Sequence, residues 1–146
     1  MKKRVVITGE GSISPLGHNS QSLWKNLVKG KSGIDHISSF DTENFSIKIA
    51  GEVKDFDPNN YFEAKEARKL DRFTMFGLIA AEQALQNSNY KSSDAGVIVG
   101  TGVGGMHTLE EEHQKLIKKG QRGVSPFYVP KMIPNIAGGQ IAIKHN

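Results

Sequence analysis

Two short β-branched runs, far apart in the chain and each stopped by glycine, most limit what this sequence can fold into. Arg4-Val-Val-Ile-Thr8 is apolar on both faces and runs into Gly9 and Gly11, and Gly96-Val-Ile-Val-Gly100 has the same character. Strands without polar alternation are buried on both sides, usually in a parallel sheet covered by helices. A chain of 146 residues has room for about one such domain and can bury roughly 70% of the surface its unfolded form exposes.

The segments between and after these runs read as helices and one further strand. Asn19 or Ser20 is placed to cap a helix carrying Leu23, Trp24, Leu27 and Val28 as one apolar stripe, ended by Gly30 and Gly33. Trp24 is expected to anchor that helix in the core. Ser14-Pro-Leu-Gly17 is turn chemistry. Phe45 to Val53 alternates, with Phe45, Ile47 and Ile49 on one side, and predicts a half-exposed strand that is antiparallel or at an edge. After a break at Asp57-Pro-Asn-Asn60, one long helix is predicted from Phe62 to Asn89, with small residues Gly77, Ala80, Ala81 and Ala84 that let another element approach closely. His107 to Lys119 predicts a charged helix closed by Gly120 and Gly123. Ser125-Pro-Phe-Tyr-Val-Pro130 is expected to be irregular because of its prolines, and a short last helix is predicted around Ile136 and Ala137. The order is that of an α/β layered fold.

Composition closes off several chemistries. The chain contains no cysteine, so it holds no disulfide, thiolate metal site or cysteine nucleophile of its own. No apolar run approaches the ~20 residues of a membrane span. The basic start, Met1-Lys-Lys-Arg4, precedes an apolar stretch that stops at Ile7. That is too short for a secretory signal, so a cytoplasmic setting is the expectation. The net charge of +4 is compatible with acidic partners.

The local signals each carry two readings. Gly100-Thr-Gly102-Val-Gly104-Gly105 fits the glycine pattern of a dinucleotide cradle. However, no strand ending in an acidic residue follows at the required distance, and the alternative is a tight turn crossed closely by other backbone. Lys65, Arg68, Lys69 and Arg72 would share one face of the long helix, either as a solvated face or as a docking stripe for an acidic protein or phosphate. Exposed aromatics among the cations, which nucleic acid would want, are absent. His107 and Glu111 are spaced i, i+4 but have no second ligand pair, and His113 is expected to pair with Glu110, Glu111 or Glu112. No Ser-His-Asp arrangement can be assembled.

Taken in order, the motifs resemble one family. They are Arg4-Val-Val-Ile-Thr-Gly9, Ser14-Pro-Leu-Gly17, Ser32-Gly-Ile34, Phe40-Asp41, Ala50-Gly-Glu-Val53, Lys65-Glu-Ala-Arg-Lys-Leu-Asp71, Gly100 to Gly105, Ser125 to Pro130 and Asn135-Ile-Ala-Gly138. The set is similar to the amino-terminal part of β-ketoacyl-acyl-carrier-protein synthase type II, the condensing enzyme of bacterial fatty-acid synthesis.

The resemblance implies an incomplete N-terminal portion, residues 1–146, of a thiolase-like layered α/β fold that works as a homodimer without a cofactor or metal. In that family a cysteine takes the acyl chain from acyl carrier protein. Two histidines then assist malonyl decarboxylation, and the resulting carbanion attacks the thioester. The cysteine would follow this chain, which spans roughly the first third of the family's length. The chain alone is therefore expected to be inactive and poorly stable, with apolar strand surface awaiting later strands. His145 matches neither family histidine. Lys65, Arg68, Lys69 and Arg122 match carrier-protein-binding positions, although the usual basic neighbour of Arg122 is replaced here by Gly123. Val103, Tyr128 and Val129 fall at acyl-tunnel or dimer-interface positions, with ordinary loop packing as the alternative. Glu10 departs from an uncharged position. A non-catalytic carrier-protein binding module and an NAD(P)-binding oxidoreductase remain as alternatives. Neither nucleic acid nor membrane is an expected partner.

Overall fold

A computed structural model describes residues 3–90 and 94–145. Met1 and Lys2 of the basic start, and the terminal Asn146, lie outside the described residues. Six α-helices are present among those described, namely α1 (Ser20–Val28), α2 (Ala64–Ala67), α3 (Arg72–Ser88), α4 (Met106–Lys119), α5 (Tyr128–Met132) and α6 (Ile136–His145). Two short strands, β1 (Ile34–His36) and β2 (Ile49–Gly51), pair antiparallel with Asp35 opposite Ala50. The residues cluster into two compact units, one of residues 3–56 and 79–90, the other of 57–78 and 94–145.

In the first unit, Asn19 caps α1 as expected. Its side chain accepts the Ser22 N–H while Ser22 returns a bond to the Asn19 N–H, and Gly30 closes the far end with φ +67°. Ser14 and Gly17 exchange both backbone bonds, which makes the expected turn. The small residues of α3 do admit another element. A Cβ at Gly9 would lie 2.1 Å from the Ala84 carbonyl oxygen, and one at Gly11 would lie 2.0 Å from that of Ala80. Polar side chains from the same helix hold the segment in place. Gln83 accepts from the Ser12 N–H and donates to the His18 carbonyl, while Asn87 donates to the Glu10 carbonyl. The strand expected over Phe45–Val53 is antiparallel but its ladder covers Ile49–Gly51, with one further bond from the Ile37 N–H to the Lys48 carbonyl. Below it, Glu52 accepts hydrogen bonds from Ser39 and Ser38 that pull its carboxyl down to about 2. Trp24 is not a core anchor. It is 68% exposed and lines an open groove with Leu23, Leu27 and Glu10, because no described element packs over that face of α1.

In the second unit, the expected long helix is two helices. The N–H groups of Lys69 and Leu70 reach back only three residues, to Glu66 and Ala67, which tightens and ends α2. Asp71 then starts α3. Phe62, Leu70, Met75, Leu78, Ala137 and Ile141 form this unit's core, with α6 crossing Gly77 through Ala137 and Ile141. Pro126 to Pro130 is not wholly irregular, since α5 begins at Tyr128 and places Pro130 in its first turn. A proline is tolerated there because first-turn N–H groups have no helical acceptor.

Neither β-branched run is a buried strand. Val5 and Ile7 are almost fully exposed, and Ile98 is 99% exposed. Val97 and Val99 turn toward Gly138 of α6, so that run is covered on one side only. A ladder needs a neighbouring strand about 4.8 Å away, and among the described residues neither run has one.

Replacing Gly11 by Ala forces a methyl into a backbone carbonyl, and the loss should be about 3 kcal/mol. Asn19→Ala removes an exposed cap and should cost about 1 kcal/mol. Chemical denaturation of both variants beside the parent chain checks the order.

Candidate functional site

The best-defined constellation lies in the second unit, where the basic segment meets the glycine turn. Asp71, 4% exposed, sits between two helix starts. Its Oδ1 accepts the Phe73 N–H and its carbonyl accepts the Met75 N–H, the arrangement of a cap on α3. Its Oδ2 accepts both the N–H and the hydroxyl of Thr108, which is 2% exposed in the first turn of α4. One carboxylate thus satisfies the leading donors of two helices, where helix dipoles favour negative charge. The sequence carries a signal for this. Asp directly before Arg72-Phe-Thr-Met is an N-cap pattern, but apolar spacing that runs on through Leu70 hides it.

The glycine turn is crossed by backbone. The Gly105 N–H donates to the Met132 carbonyl, 2.9 Å away, and a Cβ at Gly104 would lie 2.5 Å from that same oxygen. Gly104 has φ +82°, a conformation that suits glycine. A dinucleotide would need these amides and the start of α4 for its phosphates. The Gly105 amide is taken by Met132 at the end of α5 and the Gly104 amide by the Thr101 hydroxyl, and Asp71 already supplies the anion. The dinucleotide reading fails on those two counts.

The basic residues do not share one continuous helix face, because the chain turns between α2 and α3. Lys65 lies on α2, Arg68 follows its end, and Lys69 lies in the turn with its ammonium 5.8 Å from the Phe127 ring centre. Arg72 opens α3 and stacks over Phe76 at 5.0 Å. Lys65, Lys69 and Arg72 are exposed, and Arg68 is exposed at the turn. Arg122 is exposed in the 3-10 turn Gln121–Gly123, which follows Gly120 at φ +68°. Val103 is exposed in the glycine turn. Tyr128 is half-buried at the first position of α5, and Val129 beside it is exposed. Lys69 therefore joins the basic segment to the proline-flanked loop, and Asp71 joins it to the base of the glycine turn.

The other titratable groups arrange differently from expectation. It is Glu112, 4% exposed, that turns inward. It accepts from Lys115 Nζ and from the Ser125 N–H, both at 2.6 Å, and the Lys115 bond followed by the Ser125 bond lowers its carboxyl from the ordinary value of 4.5. His113, expected to pair with this acidic run, stays at the surface. His107 and Glu111 meet as an exposed pair at 3.1 Å. Among the described residues, no group of three His, Cys, Asp or Glu is placed to hold a metal ion, and no helix is long and apolar enough to cross a membrane.

Solved structures with the same arrangement define the class as thiolase-like. The ishigamide ketosynthase/chain length factor superposes with a TM-score of 0.80 at 26% identity, over 94% of this chain and 36% of its own. A ketosynthase structure determined in complex with its type II polyketide acyl-carrier protein gives 0.78 at 26% identity, over 99% and 39%. The chain belongs to the β-ketoacyl synthase family, whose N-terminal domain matches residues 2–146. It is 45% identical to 3-oxoacyl-[acyl-carrier-protein] synthase 2 of Staphylococcus aureus strain N315 over 97% of its length, and 46% identical to that of Vibrio cholerae. It spans 35% of the length of the Staphylococcus relative and 36% of the Vibrio one.

Asp71→Ala strands three buried or half-buried donors and should cost about 3 kcal/mol, with faster amide exchange at Thr108. The Glu112 carboxyl is held below its unfolded value, so its stabilisation is complete above about pH 4.5 and is lost as pH falls through the lowered value. Glu112→Gln should therefore differ most from the parent chain at neutral pH and converge on it as pH falls through the lowered Glu112 value. Melting temperatures across that range test this.

Proposed function

We propose that this chain is the leading part of a condensing enzyme of fatty-acid elongation. It would serve decarboxylative Claisen condensation of an acyl chain with malonyl-carrier protein. The observation that carries the reading is the family match over residues 2–146, together with 45% identity to synthases named for that reaction. In this reading a cysteine thiol outside residues 1–146 takes the acyl group. Loss of carbon dioxide from the malonyl unit leaves a carbanion whose electron pair attacks the acyl thioester carbonyl, expelling the thiolate. This chain has no cysteine to play that part.

Its own contribution would be docking and shaping. Exposed Lys65, Arg68 and Lys69, with Arg122, would receive the acidic carrier, and charges of that kind chiefly raise the encounter rate. A carrier protein seated on a ketosynthase in one structural neighbour supports this role. Val103, Tyr128 and Val129 would line the acyl path or a subunit interface, held by the Asp71–Thr108 bridge and the Met132–Gly105 bond.

Lys65→Glu with Arg68→Glu should slow association with bacterial apo acyl carrier protein about tenfold at low salt. The same purified chain should form no β-ketoacyl product from acyl- and malonyl-carrier protein. Unchanged binding kinetics, or turnover by the chain alone, would remove the proposal. A binding module without catalysis is the second reading. It is distinguished by adding a cysteine-bearing remainder of a synthase, which should restore turnover only if the first reading holds.

A further inference from the structure

The second half of α4 forms a separate cationic surface. Lys115, Lys118 and Lys119, with Glu111 and Gln114, line an open groove of about 320 Å³. The side chains of Lys118 and Lys119 are exposed in the last turn. Glu111 is turned to His107 at 3.1 Å, and Lys115 is held by Glu112 at 2.6 Å. These contacts leave the groove dominated by the two ammonium groups at its end. Arg122 is brought to the same end by a specific packing contact. Gly120, at φ +68°, reverses the chain, and the Gly123 N–H donates to the Gly120 carbonyl. Gly123 then sits so close to α4 that a Cβ there would lie 2.7 Å from Lys119 Cβ and 3.0 Å from the Lys115 carbonyl oxygen. The missing side chain lets the Lys119 stem run alongside the turn that carries Arg122. Glycine at 123 carries no charge, and the Lys119 side chain runs beside it.

This surface connects to the basic segment through the loop between them. Lys69 lies over Phe127. Two residues before Phe127, Ser125 donates to Glu112, which binds Lys115 of the groove. Two cationic surfaces therefore flank one short loop.

We infer that Lys118 and Lys119 extend the docking surface beyond Arg122, so that an acidic protein partner seated there also contacts the last turn of α4. This rests on the carrier-protein reading above and adds contacts to it. The occupant is identified by charge complementarity, as a protein surface rich in Asp and Glu.

The test measures association of the full chain with bacterial apo acyl carrier protein by stopped flow from low to high salt. Lys118→Glu with Lys119→Glu should slow association about fivefold at low salt, and should match the parent chain near 1 M, where charges beyond about 3 Å are screened. Lys25→Glu with Lys29→Glu makes the same change in net charge at α1 and should have little effect. Lys118→Gln with Lys119→Gln avoids placing acids at a helix C-terminus and should give a smaller slowing in the same direction, with far-UV circular dichroism confirming the fold. The inference is overturned if the Lys118/Lys119 variants bind like the parent while Lys65→Glu/Arg68→Glu binds slowly, an outcome that leaves the carrier-protein reading standing. It is also overturned if the α1 reversal slows binding equally, or if a DNA duplex binds this chain as tightly as the carrier. Normal binding by the Lys65→Glu/Arg68→Glu variant would overturn the carrier-protein reading itself.

Discussion

The second unit depends on one buried carboxylate. A charged group out of water is costly unless its oxygens are filled, and Asp71 fills both of them, with Phe73 on one side and Thr108 on the other. The bridge sets where α3 begins and where α4 begins. It also explains why the basic segment is not simply the front of one long helix. With Asp71 as a cap, the residues before it must turn, and that turn lifts Lys69 onto the Phe127 ring while Arg72 opens the next helix. The glycine turn is fixed at the same point, because Gly105 lies against Asp71 Oδ2 and the Met132 carbonyl.

Features governed by neighbours along the chain are legible in the amino-acid sequence. The Asn19 cap, the Ser14–Gly17 turn, the extent of α4 and the small face of α3 each follow from a few adjacent or helically spaced residues. Features governed by distant partners are not. Apolar spacing from Leu70 onward is the same for one helix as for two, and only Thr108, far along the chain, shows why Asp71 interrupts it. The glycine turn suits a phosphate cradle equally well until the Met132 carbonyl occupies its amide. Pro130 has the character of a breaker, because its position relative to a helix start cannot be read from proline itself. The basic positions Lys65, Arg68, Lys69 and Arg72 are legible as residue types. Their arrangement across a turn is not.

The β-branched runs mark a different limit. Their composition specifies burial on two sides, yet Val5, Ile7 and Ile98 face solvent. Sequence pattern reports the environment a segment is suited to, and that environment need not be built by the residues in hand. Val97 and Val99 against Gly138 show half of it in place. Exposed apolar surface of this kind lowers solubility and invites pairing with another strand.

The order of charges along α4 has its own electrical result. Glutamates occupy 110–112 and lysines occupy 115, 118 and 119, which opposes the backbone dipole and steadies the helix. Whole side-chain charges outweigh the roughly half charge at a helix terminus. The trailing end of a helix, whose bare carbonyls would turn an anion away, here becomes an attractor. The same residues that quiet the helix's own polarity give it a new field pointing outward, one able to orient an approaching acidic molecule before any contact forms.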